Sequence, residues 1–356
     1  MLKSFRYLLF PFAALYGMVI FIRNKLFDKN ILKSASFNFP LICVGNLAVG
    51  GTGKTPMVEY ILKVLKSRYK VATVSRGYRR KTRGYLLANE STTALEIGDE
   101  PMQIHLKFPD VSVAVGEERL VAIPQLLHDR PDMEVVVLDD AFQHRTIRAG
   151  LNIILTDFSN LFTRDHLLPV GDLRDLKSES RRAQAIVITK CPQDLSLQQK
   201  ASLLAEINPL STQKVFFTAI EYSSPYHLFT RQELPVTEDM DVLLVCGIAN
   251  PDPVKQLLNE KVGSYEMLRY NDHHIFNLDD LDEIRNEFEK IQNSHKVILT
   301  TEKDAVRLLK FRNELSILPI LVLPVRHKFL FDQGGEFDRL LLDFVEGFSK
   351  KKLEEY

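Results

Sequence analysis

Three features of the sequence predict a mostly parallel α/β sheet covered by helices, with a second, smaller α/β domain and an apolar N-terminal helix. The first is a glycine-rich turn between a β-branched run and an amphipathic helical pattern. The second is a series of continuous apolar runs separated by helix-length segments, typical of a sheet buried on both faces. The third is a length of 356 residues, more than one hydrophobic core usually supports. Together they predict a fold of the P-loop NTPase type.

The apolar runs also place the domain boundary. A first set comprises KVATVS, VSVAV, EVVVLDD, LNIILTD and AIVITK, and a second set comprises DVLLVCG, KVILTT and ILPILVLP. An irregular polar stretch separates the two sets. We therefore predict an N-terminal helix at 1–30, a P-loop core at 31–221, a linker at 222–240 and a smaller α/β domain at 241–356 that ends in a solvated tail.

The composition limits the classes of function. With 46 basic and 46 acidic residues the formal net charge is zero, which argues against nucleic-acid binding and makes any basic site a local one. Cys43, Cys191 and Cys246 each lie in or beside an apolar run, and no pair has metal or redox spacing. We expect buried thiols in a reducing compartment.

Residues 7–22, YLLFPFAALYGMVIFI, carry no charge and are flanked by basic residues, among them Lys3 and Arg23. As a helix they would span roughly 24 Å, less than the roughly 30 Å hydrocarbon core of a bilayer. We expect this helix to lie on a membrane surface rather than to cross it. A signal peptide is disfavoured because no small-residue cleavage site follows. The alternative is a helix buried on the protein's own surface.

The glycine-rich turn, VGNLAVGGTGKTP, is typical of a nucleotide site. Its phosphate-binding candidates are Gly50, Gly51, Thr52, Gly53, Lys54 and Thr55. Backbone N–H groups and the Lys54 ammonium suit phosphate, and the Thr55 hydroxyl suits Mg²⁺. Ala48 replaces the first glycine of the usual pattern, but the N–H groups that hold phosphate lie nearer Gly53. The alternative is a turn that binds nothing.

A pair of acidic residues follows the predicted strand EVVVL. Asp139 and Asp140 stand at its end, where P-loop proteins place the other ligand of Mg²⁺. His144 in the same turn either orients a carboxylate or caps the turn. The alternative for the two aspartates is a solvated pair at a strand end.

The segment SRGYRRKTRGY is a basic loop after another strand, with Arg76 as its first basic residue. In a chain of zero net charge it indicates an anionic substrate. We assign substrate binding to Arg76, Tyr78 and Arg79 of this loop and to Arg119 farther along the chain. An exposed basic loop without a ligand is the alternative.

Two further motifs leave their chemistry open. In GDEP, Asp99 or Glu100 is either a helix N-cap or a base, and sequence alone favours the cap. In NDHHIF, Asp272, His273 and His274 are candidates for metal ligation or acid–base work, without a third metal ligand at suitable spacing.

The chain resembles the tetraacyldisaccharide 4'-kinases of Gram-negative bacteria. The motifs VGNLAVGGTGKTP, SRGYRR, GDEP, LDDAFQH, LLPVGDLRD, NDHHIF and TTEKDAV occur in that family's order, and the likeness extends from the apolar N-terminus to about Arg307. The resemblance implies ATP- and Mg²⁺-dependent phosphorylation of the 4' hydroxyl of a tetraacylated glucosamine disaccharide 1-phosphate, giving lipid IVA. It implies a glycolipid substrate at the cytoplasmic face of the inner membrane, with no nucleic acid and no obligate protein partner.

The same resemblance implies roles for individual residues. Lys54 and Thr55 match phosphate and magnesium residues, and Asp139 and Asp140 match the family's Walker B pair, with Glu100 assigned to the metal as well. Asp99 matches the catalytic base and His273 the histidine paired with it, which makes the base preferable to the cap. Arg174 in VGDLRD matches an arginine near the phosphates. Because Asp99 and His273 fall in different predicted domains, we expect domain closure to form the pair.

The sequence departs from the family's motifs at two places, and two other classes of protein are alternatives. Ala141 stands where the family usually has glycine, and VGDLRD replaces AGxLREP. The main rival is a membrane-bound P-loop switch ATPase, whose signature lysine is replaced here by Val49. A GTPase is weaker, because AIVITK leads into CPQD rather than a guanine-reading N-K-x-D.

Overall fold

The computed structural model describes the backbone of residues 6–354 and the side chains of residues 6–348. Lys3 and the last part of the predicted solvated tail lie outside the described residues. The chain forms two compact units. The first unit comprises the chain up to Thr92, Ile104–Ile220 and the chain from His327 onward, and the second comprises Thr93–Gln103 and Glu221–Arg326.

The elements are numbered in chain order. The strands are β1 (Ala35–Ser36), β2 (Leu41–Asn46), β3 (Val71–Ser75), β4 (Leu86–Leu87), β5 (Ser112–Val115), β6 (Val135–Asp139), β7 (Ile147–Arg148), β8 (Leu151–Asp157), β9 (Ala185–Thr189), β10 (Lys214–Tyr222), β11 (Tyr226–His227), β12 (Asp241–Cys246), β13 (Ser264–Arg269), β14 (Lys296–Thr301), β15 (Ile320–Leu323) and β16 (Val325–Phe329).

The α-helices are α1 (Phe10–Asp28), α2 (Lys54–Leu65), α3 (Ala94–Ile97), α4 (Asp99–Lys107), α5 (Arg119–Asp129), α6 (Leu197–Ile207), α7 (Asp252–Lys261), α8 (Leu278–Lys290), α9 (Glu302–Leu308), α10 (Arg312–Leu315) and α11 (Gly334–Glu354). Short 3-10 helices lie at Tyr7–Leu9, Lys177–Arg182 and Leu309–Phe311.

The first unit is built on a parallel sheet. Within the described residues it has nine strands in the order β16-β10-β9-β8-β2-β6-β3-β5-β4. Neighbours from β10 to β5 are parallel, and β4 is antiparallel to β5. Every residue of β2, β3, β6 and β9 is buried, as their continuous apolar runs predicted. The fold class predicted from the sequence is confirmed.

The second unit has a smaller sheet of its own. Among the described residues its order is β11-β15-β14-β12-β13, parallel except for β11. Helix α9 follows β14 directly, and the Thr301 side chain accepts a hydrogen bond from the Asp304 N–H at its start. The capped helix carries the last motif of the sequence, TTEKDAV, in this unit.

The two units divide the chain differently from the predicted domains. Thr93–Gln103, predicted in the core, belongs to the second unit, and the chain from His327 onward returns to the first. The physical reason is that β16 lies at the edge of the nine-stranded sheet beside β10, and Phe337 of α11 packs against Phe216 and Phe329. Apolar patterning predicts elements but not which sheet each one joins.

The N-terminal helix α1 has two unlike faces. Its buried residues are Ala13, Gly17, Ile20, Asn24 and Phe27. Its exposed apolar residues are Phe10, Phe12, Leu15, Met18, Val19, Phe21 and Ile22. By length and composition alone, the stretch Tyr7–Asp28 is sufficient to cross a membrane. One stripe is nevertheless packed on the first unit, as the alternative interpretation expected, while the other side is left uncovered.

The three cysteines are free and buried, as expected. Burial raises the pKa of the Cys43 thiol to about 12. They belong to the packed interior.

Candidate active site

The predicted phosphate-binding turn joins β2 to α2. Gly50 has φ +106° and Gly53 has φ +82°, values in the region that favours glycine. Gly53 is the N-cap of α2, so the first N–H groups of the helix have no intrahelical carbonyl partner and suit an anion. Ala48 is absent from the described residues with positive φ, so alanine fits there without backbone strain.

Asn46, which the sequence analysis did not single out, connects this turn to its cations. It is the fully buried last residue of β2. Its Nδ2 donates to Thr52 Oγ1 over 3.0 Å, and its Oδ1 accepts from Lys54 Nζ at 3.2 Å and Arg174 Nη2 at 2.6 Å. The available signal was a polar residue at the end of a buried strand.

Asp140 lies between two cations. Its carboxylate is ion-paired with Arg174 and lies 3.8 Å from Lys54 Nζ. Burial raises the pKa of Asp140, but Lys54 and Arg174 outweigh it, so the pKa lies below its usual value. Asp140 itself has φ +50°, whereas Ala141 is not among the described positive-φ residues, so replacing glycine there causes no backbone strain.

Asp139 lies at the buried end of β6, next to Arg119 of α5. Asp139 is the last residue of the strand, and Arg119, at the start of α5, is 2% exposed. Arg119 donates to the carbonyls of Gly116 at 2.8 Å and Asp139 at 3.4 Å. Burial lowers the pKa of the Arg119 guanidinium, while Asp139 acts against that shift. The predicted substrate residue Arg119 is therefore a buried guanidinium that contacts backbone carbonyls at this strand end.

His327 supports the phosphate-binding turn from the C-terminal part of the chain. Its Nε2 lies 2.8 Å from the Gly53 carbonyl, and its Nδ1 lies 2.9 Å from the Thr218 hydroxyl. Because a carbonyl only accepts, Nε2 carries the proton and Nδ1 accepts from Thr218. Burial lowers the pKa of His327 to about 4. The sequence carried no signal for this role.

His144 fulfils neither predicted role through a side-chain hydrogen bond within the described residues. Its backbone N–H closes the turn by donating to the Ala141 carbonyl over 2.9 Å. Burial, followed by the charges of Arg119 and Arg76, lowers the pKa of His144 to about 4. The imidazole is therefore neutral at physiological pH.

The basic loop divides into exposed and inward-facing residues. Arg76, Tyr78 and Arg79 are exposed, and the Arg79 guanidinium lies 5.5 Å from the centre of the Tyr78 ring. Arg80 turns inward and donates to Glu117 over 2.7 Å. The loop is thus anchored by Arg80 and leaves three predicted substrate residues open to solvent.

The second unit holds the predicted base and its histidine. Asp99 is the first residue of α4, and Met102 N–H donates to the Gly98 carbonyl, so Gly98 rather than Asp99 occupies the N-cap position. Asp99 Oδ2 lies 3.3 Å from His273 Nδ1. The expectation that the pair spans two domains is wrong, because Thr93–Gln103 belongs to the same unit as His273. No domain closure is needed to form it.

Two further basic side chains surround this pair. Arg307 donates from Nε and Nη2 to Asp99 Oδ2, at 2.9 and 2.7 Å. Lys303 Nζ lies 3.0 Å from His273 Nε2. Both residues belong to the motif TTEKDAV, whose spacing alone indicated no chemistry.

The residues predicted to hold Mg²⁺ offer the oxygen donors that this ion prefers. They are the Thr55 hydroxyl and the carboxylates of Asp139, Asp140 and Glu100. Among the side chains of residues 6–348, no group of three or more His, Cys, Asp or Glu residues is placed to hold a metal. Mg²⁺ with a nucleotide needs only one or two carboxylates besides phosphate and water, so Thr55, Asp139 and Asp140 of the first unit suit the ion by themselves, whereas Glu100 belongs to the second unit.

In the first unit, a glycine-rich turn followed by a lysine, with carboxylates at the end of the neighbouring strand, is typical of a P-loop protein that binds a nucleotide. The chain belongs to the tetraacyldisaccharide-1-P 4'-kinase family, whose model matches residues 5–346. It is an ATP-dependent 4'-kinase of lipid A biosynthesis and acts on a lipid disaccharide. This assignment decides against the switch ATPase and the GTPase.

Similar proteins agree over nearly the whole chain. The tetraacyldisaccharide 4'-kinase of Bacteroides thetaiotaomicron is 43% identical, covering 95% of this chain and 92% of its own. That of Flavobacterium johnsoniae is 44% identical, covering 96% and 97%. The crystal structure of "apo" form LpxK from Aquifex aeolicus in complex with ATP matches with a TM-score of 0.75 and 28% identity, covering 97% of this chain and 100% of that one.

Proposed function

We propose that Asp99 is the general base of the transfer from ATP to the 4' hydroxyl of a tetraacylated glucosamine disaccharide 1-phosphate, giving lipid IVA. The hydroxyl proton passes to Asp99 as its oxygen bonds to the γ-phosphorus. The bond from that phosphorus to the β–γ bridging oxygen breaks, and ADP leaves. The observation that carries this assignment is the 3.3 Å contact between Asp99 Oδ2 and His273 Nδ1. His273 orients the carboxylate.

The first unit supplies the nucleotide site. The N–H groups of the Gly50–Lys54 turn and the Lys54 ammonium bind the phosphates, and Arg174 adds a second cation linked to Lys54 through Asn46. Thr55, Asp139 and Asp140 are the residues of this unit that would hold Mg²⁺, which neutralises phosphate charge when bound. Arg119, buried against the Asp139 carbonyl, fixes the end of this strand.

The exposed basic loop suits the anionic end of the substrate. Arg76 and Arg79 provide guanidinium groups, which match phosphate geometry. Tyr78 adds an aromatic surface beside Arg79. We assign the substrate's 1-phosphate to this loop.

We also propose that the uncovered face of α1 anchors the enzyme on the cytoplasmic face of the inner membrane of a Gram-negative bacterium, where ATP is available. The packed stripe, with Asn24 donating to Asp175 over 2.8 Å, supports a monotopic rather than a spanning arrangement. Each fully buried Phe or Leu side chain contributes about 1.5–3 kcal/mol.

The base is tested with Asp99→Asn, His273→Gln and the double variant, assayed with ATP and the glycolipid beside melting curves. We expect Asp99→Asn to lower kcat by about a hundredfold to ten-thousandfold, because the proton loses its acceptor. His273→Gln should do less, and the double variant should resemble Asp99→Asn because the residues act as one unit. The exposed His295→Gln is the matched control. Multiplicative losses, or reduced stability with intact kcat, would contradict the assignment.

The anchor is tested by flotation with vesicles of phosphatidylethanolamine and phosphatidylglycerol. We expect Phe12→Ser, Leu15→Ser and Val19→Ser together to release the protein from vesicles, because all three are exposed on α1. Deletion of residues 1–25 should do the same. Leu197→Ser with Ile317→Ser removes apolar side chains that are exposed elsewhere and is the control. If the triple variant floats as well as the parent chain, the anchor lies elsewhere.

A further inference from the structure

Helix α9 places two cationic side chains beside the proposed general base Asp99 and its partner His273. Lys303 and Arg307 are four residues apart and therefore lie on one face of the helix. Arg307 is 7% exposed, so its guanidinium is held by protein groups rather than by water. Both side chains, Asp99 and His273 belong to the second unit.

The hydrogen bonds of Asp99 are unevenly divided between its oxygens. Two N–H groups of Arg307 and the ring of His273 all meet Oδ2. Among the described residues no hydrogen bond reaches Oδ1. One oxygen is thus fixed, and the other is left to accept a proton.

Arg307 is itself held in place from below. Its Nη1 donates to Asp304 Oδ1 over 3.0 Å, and Asp304 is completely buried. Asp304 Oδ2 accepts from the Gly247 N–H at 2.9 Å and the Thr301 hydroxyl at 2.8 Å. A guanidinium clamped by two carboxylates has little rotational freedom.

Lys303 holds the other side of the His273 ring. Lys303 Nζ lies 3.0 Å from Nε2, and Arg307 Nη2 lies 3.1 Å from Nδ1. Each ring nitrogen therefore faces a cationic side chain of α9, and the two side chains together hold the ring beside Asp99.

We propose that Arg307 and Lys303 are positioning residues for the transfer: Arg307 aims Asp99 Oδ1 at the substrate hydroxyl, and Lys303 holds the His273 ring in place beside Asp99. The inference rests on the proposed function, because it assumes that Asp99 is the base. Positioning matters here because a displacement of about 1 Å can cost on the order of a hundredfold in rate.

The test uses the full chain with ATP and the glycolipid. Arg307→Gln and Lys303→Gln should each lower kcat by roughly tenfold to a hundredfold, with less than about a twofold change in the KM for ATP. Arg307→Lys should retain part of the rate, since it keeps one charged donor. Exposed Arg312→Gln, in the neighbouring helix α10, is the matched control and should change neither constant.

Two further measurements separate a positioning role from a purely structural one. If Arg307 positions Asp99, Arg307→Gln should lower kcat no further in an Asp99→Asn background. Guanidinium, but not urea, should then restore part of the rate of Arg307→Ala. Multiplicative losses without rescue would overturn the inference, as would unchanged kcat in both Arg307→Gln and Lys303→Gln. If Arg307→Gln does not fold, Arg307→Lys and Lys303→Gln decide by the same criteria. Intact kcat in Asp99→Asn would instead overturn the proposed function.

Discussion

At the scale of the residue, Lys54 is already oriented by the protein. Its ammonium contacts Asn46 Oδ1 and lies 3.8 Å from Asp140. Preorganised charge of this kind stabilises charge that develops during transfer, because it needs no reorganisation in the reaction step. Asn46 therefore helps to position Lys54, although the usual P-loop pattern does not specify an asparagine there.

We expect Lys54→Met to lower kcat by at least about a hundredfold while the melting temperature changes little. In the proposed site, Lys54 contributes charge at the phosphates rather than core packing. Lys63→Met on the exposed side of the same helix is the control. The measurement is phosphate transfer to the glycolipid beside a melting curve, and near-normal turnover of Lys54→Met would contradict the phosphate-binding role.

His327 gives a prediction about pH. Its pKa of about 4 in the folded state lies below the ordinary 6.5, so the unfolded chain binds more protons between these values. Stability should therefore fall as the pH drops from about 6.5 to 4, by up to about 1.4 kcal/mol per unit from this residue. His327→Gln should flatten that slope in denaturant titrations, and exposed His128→Gln should not. Equal slopes for the parent and His327→Gln would contradict the prediction.

The residues within the motifs were predictable from sequence, but the distant residues that hold them in place were not. Lys54 and Asp139 stand in local patterns whose spacing has a chemical meaning. His327 meets Gly53 from 274 positions away, and Arg307 meets Asp99 from 208. Such partners depend on which strands pair, and a single sequence does not encode that pairing in a short motif.

At the scale of the element, α1 is apolar on both faces, so its hydropathy could not indicate which side packs. Its buried positions recur at spacings of four and three residues and include Gly17 and Asn24. They lie against the segment that carries Arg174, since the Tyr16 hydroxyl donates to the Arg174 carbonyl over 3.1 Å. The helix proposed as the membrane anchor thus contacts the segment of Arg174 directly.

We expect Asn24→Ala to reduce the free energy of unfolding by about 1–3 kcal/mol, because Asp175 would lose a donor inside the protein. Met18→Ala, on the exposed face, should cost less than about 0.5 kcal/mol. Chemical denaturation in detergent measures both. A cost for Asn24→Ala no larger than that of Met18→Ala would show that this bond does not hold the helix.

At the scale of the whole molecule, the first unit is completed by the C-terminal segment. Phe337 of α11 is fully buried and packs against Tyr60 of α2, with Phe216 and Phe329 alongside. The predicted domain 241–356 did not anticipate this return, because β15 and β16 are adjacent in sequence yet join different sheets.

We expect Phe337→Ala to cost about 3–5 kcal/mol of stability and to weaken ATP binding, because α2 starts at the phosphate-binding turn. Ile317→Ala, at an 80% exposed side chain, should change stability by less than about 0.5 kcal/mol. Calorimetric melting and ATP titration test both effects. An unchanged melting temperature for Phe337→Ala would contradict this role of the C-terminal segment.

The contact between His327 and the Gly53 carbonyl has a consequence for synthesis of the chain. A ribosome makes the phosphate-binding turn early and its histidine 274 residues later. Throughout that interval the nascent protein has the nucleotide-binding sequence without its supporting side chain, while the long segment of the second unit is already complete and ready to form its sheet. Translation that stops before residue 327 therefore yields a polypeptide with every recognisable motif of a kinase and an unfinished ATP site.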